Sequence, residues 1–156
     1  MPTADKIIVK RELLELRNEW KNEKLVFTNG CFDILHLGHV DYLEKAAEKG
    51  TKLIVAINTD QSVSKLKGPD RPVNDEYSRC RLIAALAFVD AVILFSEDTP
   101  LSLITDIKPD VLVKGNDYTI DNIVGADVVI ENGGKVETIE LVKGYSTTNI
   151  INKLSK

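Results

Sequence analysis

The chain's only two histidines stand three residues apart, in Thr28-Asn29-Gly30-Cys31-Phe32-Asp33-Ile34-Leu35-His36-Leu37-Gly38-His39. An imidazole can donate a hydrogen bond to a phosphate oxygen, and Gly38 between the pair lets a ligand approach the backbone closely. The apolar run Leu25-Val26-Phe27 ends at a glycine before them, and a helical pattern begins after the second. Strand, turn and helix in that order are where α/β proteins hold phosphates, on free N–H groups at the positive end of the helix dipole. His36 and His39 are therefore candidates for a nucleotide-phosphate site. Two histidines satisfied by their own surroundings are the plainer alternative. Zinc is disfavoured, because two ligands do not make a site and the chain has no third histidine.

Further clusters could act on the same ligand. Ser146-Thr147-Thr148-Asn149-Ile150-Ile151 offers hydroxyls and N–H groups where a last helix starts, although Ser and Thr are also ordinary N-caps. Lys65 and Lys67 fall in an expected loop after the second strand, and Arg79 begins the following helix. Each could neutralise phosphate. The lysines could equally be solvated, and Arg79 could pair with a carboxylate. Gly115-Asn116-Asp117 follows a strand, where its backbone could read a base edge while Asp117 accepts from a ribose hydroxyl; the same tripeptide also suits a plain turn. Asp33 could orient the substrate, a histidine or a magnesium-bound water.

The elements that must position these groups alternate. Strands are expected at Lys24–Thr28, Lys52–Asn58, Ala91–Phe95, Val111–Lys114 and Lys135–Leu141, the second a near-continuous apolar run of the kind that parallel sheets bury on both faces. Helices are expected at His39–Lys49 with Gly50 as its stop, from the Asn74-Asp75-Glu76 cap to about Phe88, after Thr99-Pro100, and from Ser146-Thr147 nearly to the end. Lys10–Asn22 reads as a separate amphipathic helix carrying Leu13, Leu16 and Trp20. The rhythm implies an α/β fold, a single-domain Rossmann-like doubly wound sheet of about five parallel strands with an extra N-terminal helix. Residues 1–23 form the expected helical extension and 24–156 the main domain.

Bulk properties narrow the class. The 156 residues are 44% hydrophobic and 28% charged, with a formal net charge of −4, as in a folded domain rather than a disordered chain. No Lys/Arg cluster is dense enough for nucleic acid. The longest apolar run, Leu82 to Val89, is eight residues, against about 20 for a membrane span. The amino terminus lacks the apolar core of a signal peptide, so a cytoplasmic location is expected. Cys31 and Cys80 form no C-x-x-C unit and read as reduced thiols.

His36-Leu37-Gly38-His39 after a first strand resembles the signature of the nucleotidyltransferase superfamily that includes cytidylyltransferases and adenylyltransferases, and the Ser146–Ile151 segment resembles its second signature. Leu66-Lys67-Gly68-Pro69-Asp70-Arg71-Pro72-Val73-Asn74, Val113-Lys114-Gly115-Asn116-Asp117-Tyr118 and Asn132-Gly133-Gly134 resemble the adenylyltransferase domain of bacterial heptose-biosynthesis enzymes. That resemblance covers roughly Leu25 to Leu154. It implies AMP transfer from ATP to D-glycero-D-manno-heptose 1-phosphate, by direct attack on the α-phosphorus. It implies catalytic roles for His36, His39 and Lys67, nucleotide contacts from Cys31, Phe32, Gly38, Arg79, Gly115, Asn116, Asp117, Ser146, Thr147 and Thr148, and substrate contacts from Asp33 and Lys65. Mg²⁺ would be held mainly by the nucleotide phosphates, with no direct protein ligand. A homodimer is expected, since relatives are commonly dimeric. The sugar kinase fused to this domain in many relatives, and the pathway's phosphatase, are expected to be separate proteins.

The chain also departs from its cousins. Cys31 stands where many cytidylyltransferases carry threonine. Leu141-Val142-Lys143-Gly144-Tyr145, before the second signature, lacks the arginine of glycerol-phosphate cytidylyltransferases. Both differences favour the heptose branch over the CTP-dependent alternative. A non-catalytic nucleotide sensor on the same scaffold is the remaining alternative.

Overall fold

The computed structural model describes every residue from Met1 to Lys156. Six parallel strands form its centre. In chain order the elements are β1 (Ile7–Ile8), α1 (Lys10–Glu19), β2 (Leu25–Gly30), α2 (Leu37–Ala47), β3 (Lys52–Asn58), α3 (Asp60–Lys67), α4 (Glu76–Ala84), β4 (Ala91–Phe95), α5 (Leu101–Ile107), β5 (Val111–Gly115), α6 (Ala126–Glu131), β6 (Lys135–Ile139) and α7 (Thr147–Leu154). Across the sheet they run β1-β4-β3-β2-β5-β6. From β2 the chain winds outward through β3 and β4, then returns to lay β5 and β6 on the other side. The winding thus reverses between β2 and β5, and a crevice opens beyond the carboxyl ends of those two strands.

Apolar side chains alternate between the two faces of the sheet. Phe27, Ile54, Ile93 and Leu112 meet Leu13 of α1, Ile104 of α5 and Val129 of α6. Val26, Val55 and Val113 meet Leu43 of α2 and Ile83 of α4 on the opposite face. Burying each such side chain is worth about 1.5–3 kcal/mol, so the strand cores are rigid and their ends are held in place. Carboxylates fix the strand starts. Asp110 accepts from the Leu25 N–H and Asp90 from the Leu53 N–H, both at 2.8 Å.

Several elements differ from the sequence expectation. The sheet gains a sixth strand, β1, whose Ile7 and Ile8 lie beside Val92 and Ile93 of β4. Two residues are too few for any periodicity to show. Residues 1–23 therefore build the sheet edge as well as a helix, and Arg17 of α1 donates to the Ile107 carbonyl at 2.9 Å, tying α1 to α5. Lys65 and Lys67 are on a helix, not in a loop: Thr59 caps α3 by accepting from the Ser62 N–H at 3.3 Å, and Gly68 at φ 107° ends it. α2 begins at Leu37, which makes His36 its N-cap and puts His39 inside its first turn. α4 stops at Ala84, short of Phe88, and Pro100 is the N-cap of α5 rather than its first residue. No helix is long and apolar enough to cross a membrane.

Candidate active site

A cavity of about 660 Å³ fills the crevice at the winding reversal. It gathers residues from both ends of the chain: Cys31, Phe32, Asp33, His36, Gly38 and His39 from the β2–α2 region, Lys67 from α3, Gly115 and Asp117 after β5, and Ser146, Thr147 and Thr148 at the start of α7. All of these were candidates from sequence. The N–H groups of Gly38, Thr147 and Thr148 find no acceptor within the chain. Two helix starts thus present free donors, with their partial positive charge, to one cavity.

The two imidazoles are stacked, with centroids 3.7 Å apart and ring planes at 22°. The His36 N–H donates to His39 Nδ1 at 3.4 Å, and Phe32 meets His39 edge-on at 5.4 Å. Burial lowers the pKa of both rings, His39 to about 4 with the neighbouring His36 adding to the effect and Asp33 opposing it. Both are neutral near pH 7. Since His39 Nδ1 is an acceptor, its proton belongs on Nε2, which is then a donor. Gly38 keeps the pair in place, because a Cβ there would lie 2.9 Å from His36 Cε1 and 3.2 Å from Tyr145 Cβ.

The loop that delivers them is under backbone strain. Phe32 and Ile34 both adopt φ 50°, unfavourable for side chains of that bulk. Asp33 between them pins the loop. Burial opposes ionisation of its carboxylate, but the N–H groups of Asn74 and Val73, at 2.9 and 2.7 Å, and Arg71 Nε at 3.3 Å outweigh it and hold the pKa below the usual range. The Asp33 carbonyl accepts from the Thr147 hydroxyl, joining the two helix starts through one hydrogen bond. Asp33, a substrate-orienting candidate from sequence, thus has its carboxylate engaged within the protein.

Three sequence candidates stand off the cavity wall. Arg79 is fully buried and donates to the carbonyls of Cys31, Asn58 and Asn74, at 2.8, 2.8 and 2.9 Å, and to Asp60 Oδ1 at 2.9 Å. It clamps the chain that follows β2 and the end of β3 together from behind the site. Lys65 is exposed and pairs with Asp98 at 3.0 Å. Asn116 is exposed, its N–H donating to Ile139 O at 2.8 Å and its side-chain oxygen accepting from the Leu141 N–H at 3.4 Å.

The wall also includes groups that sequence reasoning missed. Tyr42 reaches across from α2, its hydroxyl sharing a 2.6 Å hydrogen bond with Thr28 and donating to Val113 O at 3.1 Å. Asn58 bridges Cys31 Sγ at 3.7 Å and Ser62 Oγ at 2.9 Å. Arg71 and Lys114 add positive charge. Tyr42 was hidden by its apolar helical face, whereas Lys114 and Tyr118 lay within a quoted motif but with no role attached. No group of three or more His, Cys, Asp or Glu is assembled to hold a metal ion.

The Cytidylyltransferase-like family model matches residues 27–153. The bifunctional protein HldE of Methylobacillus flagellatus is 55% identical over 154 residues, covering 97% of this chain and 32% of that protein. HldE of Pseudomonas fluorescens is 58% identical over 135 residues, covering 86% of this chain and 28% of that protein. The chain thus spans about a third of the length of these relatives. Among solved structures, the lipopolysaccharide core biosynthesis protein of Thermoplasma volcanium superposes with a TM-score of 0.62 at 32% identity, covering 80% of this chain and 99% of that one.

Proposed function

The chain belongs to the cytidylyltransferase-like family, and from that premise we propose that it transfers AMP from ATP to D-glycero-D-manno-heptose 1-phosphate, giving ADP-heptose and pyrophosphate. The observation that carries this reading is the stacked pair His36 and His39 lining one cavity together with the hydroxyl-bearing start of α7. The choice of heptose rests on the resemblance of the Leu66–Asn74 and Val113–Tyr118 segments to heptose adenylyltransferases. It is supported by the likeness to HldE proteins and to a lipopolysaccharide core biosynthesis protein.

The reaction needs no protein nucleophile. An oxygen of the sugar 1-phosphate attacks the α-phosphorus in line, the new P–O bond forming as the bond to the β-phosphate bridging oxygen breaks. Pyrophosphate leaves with that electron pair. Negative charge accumulates on the phosphoryl oxygens, and fixed donors aimed there do the catalysis. His39, through Nε2–H, and His36 serve as such donors in this reading. The N–H groups of Thr147 and Thr148 and the Thr148 hydroxyl hold further phosphate oxygens, and Lys67 balances the leaving pyrophosphate. The pinned loop and the Arg79 clamp keep these donors from having to reorganise during the reaction.

With no protein cage of carboxylates assembled, a divalent ion fits here as Mg²⁺ carried in by the nucleotide phosphates and water, where it would neutralise charge.

Pyrophosphate release is the test, measured with Mg²⁺ and heptose 1-phosphate and comparing ATP with CTP. Rapid release with ATP alone is expected. A preference for CTP with glycerol 3-phosphate would overturn the assignment in favour of the cytidylyltransferase branch. Tight ATP binding without release, across a panel of phosphorylated acceptors, would make the site a sensor.

A further inference from the structure

Lys114 has no part in the mechanism above, yet it occupies the cavity wall at the winding reversal. It is the next-to-last residue of β5, half-buried, on the strand that flanks β2. Its Nζ donates to the Asn29 carbonyl at the end of β2, at 3.1 Å, and lies 4.8 Å from the centroid of the Tyr118 ring. An ammonium group has three donors. One is spent on the carbonyl, one side is covered by the ring face, and the group remains part of the cavity wall beside Gly30 and Asp117.

This lysine forms no salt bridge, unlike the exposed Lys65 with Asp98 or the half-buried Arg71 with Asp33. Withdrawing a cation from water without a carboxylate partner is costly. Burial accordingly lowers its pKa, with Asp117 and Cys31 opposing that shift from a distance. The Asn29 carbonyl and the Tyr118 ring offset part of that cost, but no carboxylate pairs with the ammonium, and an anionic ligand in the cavity would supply the missing charge. The placement also complements the other cations. Lys67 and Arg71 come from α3 and the segment after it, on the β3 side of β2, whereas Lys114 comes from the β5 side.

We propose that Lys114 is a further substrate-binding residue, whose ammonium donates to a phosphate oxygen of one of the two phosphorylated substrates at the junction of β2 and β5. The inference rests on the phosphoryl-transfer reading above and deepens it. Phosphate would then be gripped from both sides of the winding reversal. The nucleotide and the sugar 1-phosphate carry the same chemistry, and binding measurements separate them.

Calorimetric titration of ATP alone, and of heptose 1-phosphate alone, should compare the wild-type protein with Lys114→Met, which keeps the aliphatic stem. One ligand is expected to weaken by about tenfold or more, the loss of a charge-assisted hydrogen bond, and Lys114→Arg should recover part of it. Loss in the ATP arm assigns the lysine to the nucleotide, and loss in the sugar arm assigns it to the acceptor. Unchanged affinity for both ligands overturns the proposal. Should Lys114→Met fail to fold, the lysine ¹⁵Nζ signals of wild-type protein decide, with Lys114 assigned by its absence in Lys114→Arg. Its signal should move on adding one of the ligands, and no movement with either overturns the proposal. Wild-type protein that binds ATP but transfers nothing would sink the transferase reading while leaving the Lys114 comparison intact. Binding of neither ligand would sink both.

Discussion

The backbone N–H of His36 points at Nδ1 of His39, 3.4 Å away, while the two rings stack 3.7 Å apart. One hydrogen bond inside the first turn of α2 therefore sets which nitrogen of His39 faces outward as a donor. If that donor stabilises the transition state, His39→Ala should lower kcat by roughly 10²–10³, the usual loss for one preorganised donor. The thermal midpoint should stay near wild type, since the ring borders an open cavity. His39→Gln, which restores an N–H donor, should recover part of the rate. Wild-type turnover in His39→Ala would remove this residue from the chemistry.

The depressed pKa of His39 makes a separate prediction about stability. In the unfolded chain this group titrates near the ordinary value of 6.5, and in the folded chain at about 4. Between those pH values the unfolded chain binds a proton that the folded chain refuses. Stability is thus fully present above pH 6.5 and declines as pH falls towards 4, by up to roughly 3 kcal/mol if the whole shift is realised. His36, shifted in the same direction, adds to the decline. Urea unfolding of wild type and His39→Ala from pH 7.5 to 4.5 measures it. The wild-type curve should slope more steeply, and parallel curves would show that His39 is not held neutral by the fold.

Gly38 tests whether the stack must stay where it is. A methyl group at this position would press on the edge of the His36 ring and on Tyr145 Cβ. The Gly38 backbone is helical, so alanine is conformationally favourable there and any damage comes from contact alone. Gly38→Ala should therefore fold with a stability within about 1 kcal/mol of wild type while losing most of its activity. Chemical denaturation alongside pyrophosphate release distinguishes this from general destabilisation, which would lower both.

The doubly wound sheet and the helix starts that line the cavity were both legible. Twofold motifs such as His36-Leu37-Gly38-His39 and Ser146-Thr147-Thr148 are local, and both sit at helix starts, where capping residues and glycine leave signals in the sequence. The strands from β2 to β5 announced themselves as apolar runs because both faces of the sheet are covered there, whereas β6 at the sheet edge alternates polar and apolar residues. β1 did not, since a two-residue edge strand exists only through its pairing with β4. α3 was missed because Asp60–Lys67 is mostly polar and buries only Ser62 and Val63, although Thr59 before it and Gly68 after it were available as start and stop signals. Asp33 and Arg79 show the deeper limit. Their residue types suggest ligand contact, but the Asp33 carboxylate is held by Arg71 and by the N–H groups of Val73 and Asn74, 38 to 41 positions away, and Arg79 reaches back as far as the Cys31 carbonyl, 48 positions away, contacts that no local pattern encodes.

Arg79 supplies the sharpest contrast between those readings. Its guanidinium satisfies the carbonyls of Cys31, Asn58 and Asn74 and pairs with Asp60, with no surface exposed to the cavity. Arg79→Met would leave three acceptors without a donor and Asp60 without its partner. Each buried group left unsatisfied costs about 1–3 kcal/mol, partly relieved where water can enter, so a total loss near 3 kcal/mol or more is expected. Lysine should not rescue it, because a single ammonium cannot reach four acceptors in the geometry of a planar fork. The decisive quantity is unfolding free energy without nucleotide. A buried clamp predicts that the loss is already present in the ligand-free protein, whereas an arginine that touches the nucleotide predicts normal ligand-free stability and weakened ATP binding. The geometry commits Arg79 to the first outcome: it holds the ends of β2 and β3 in register, and through them the strained loop that carries His36 and His39.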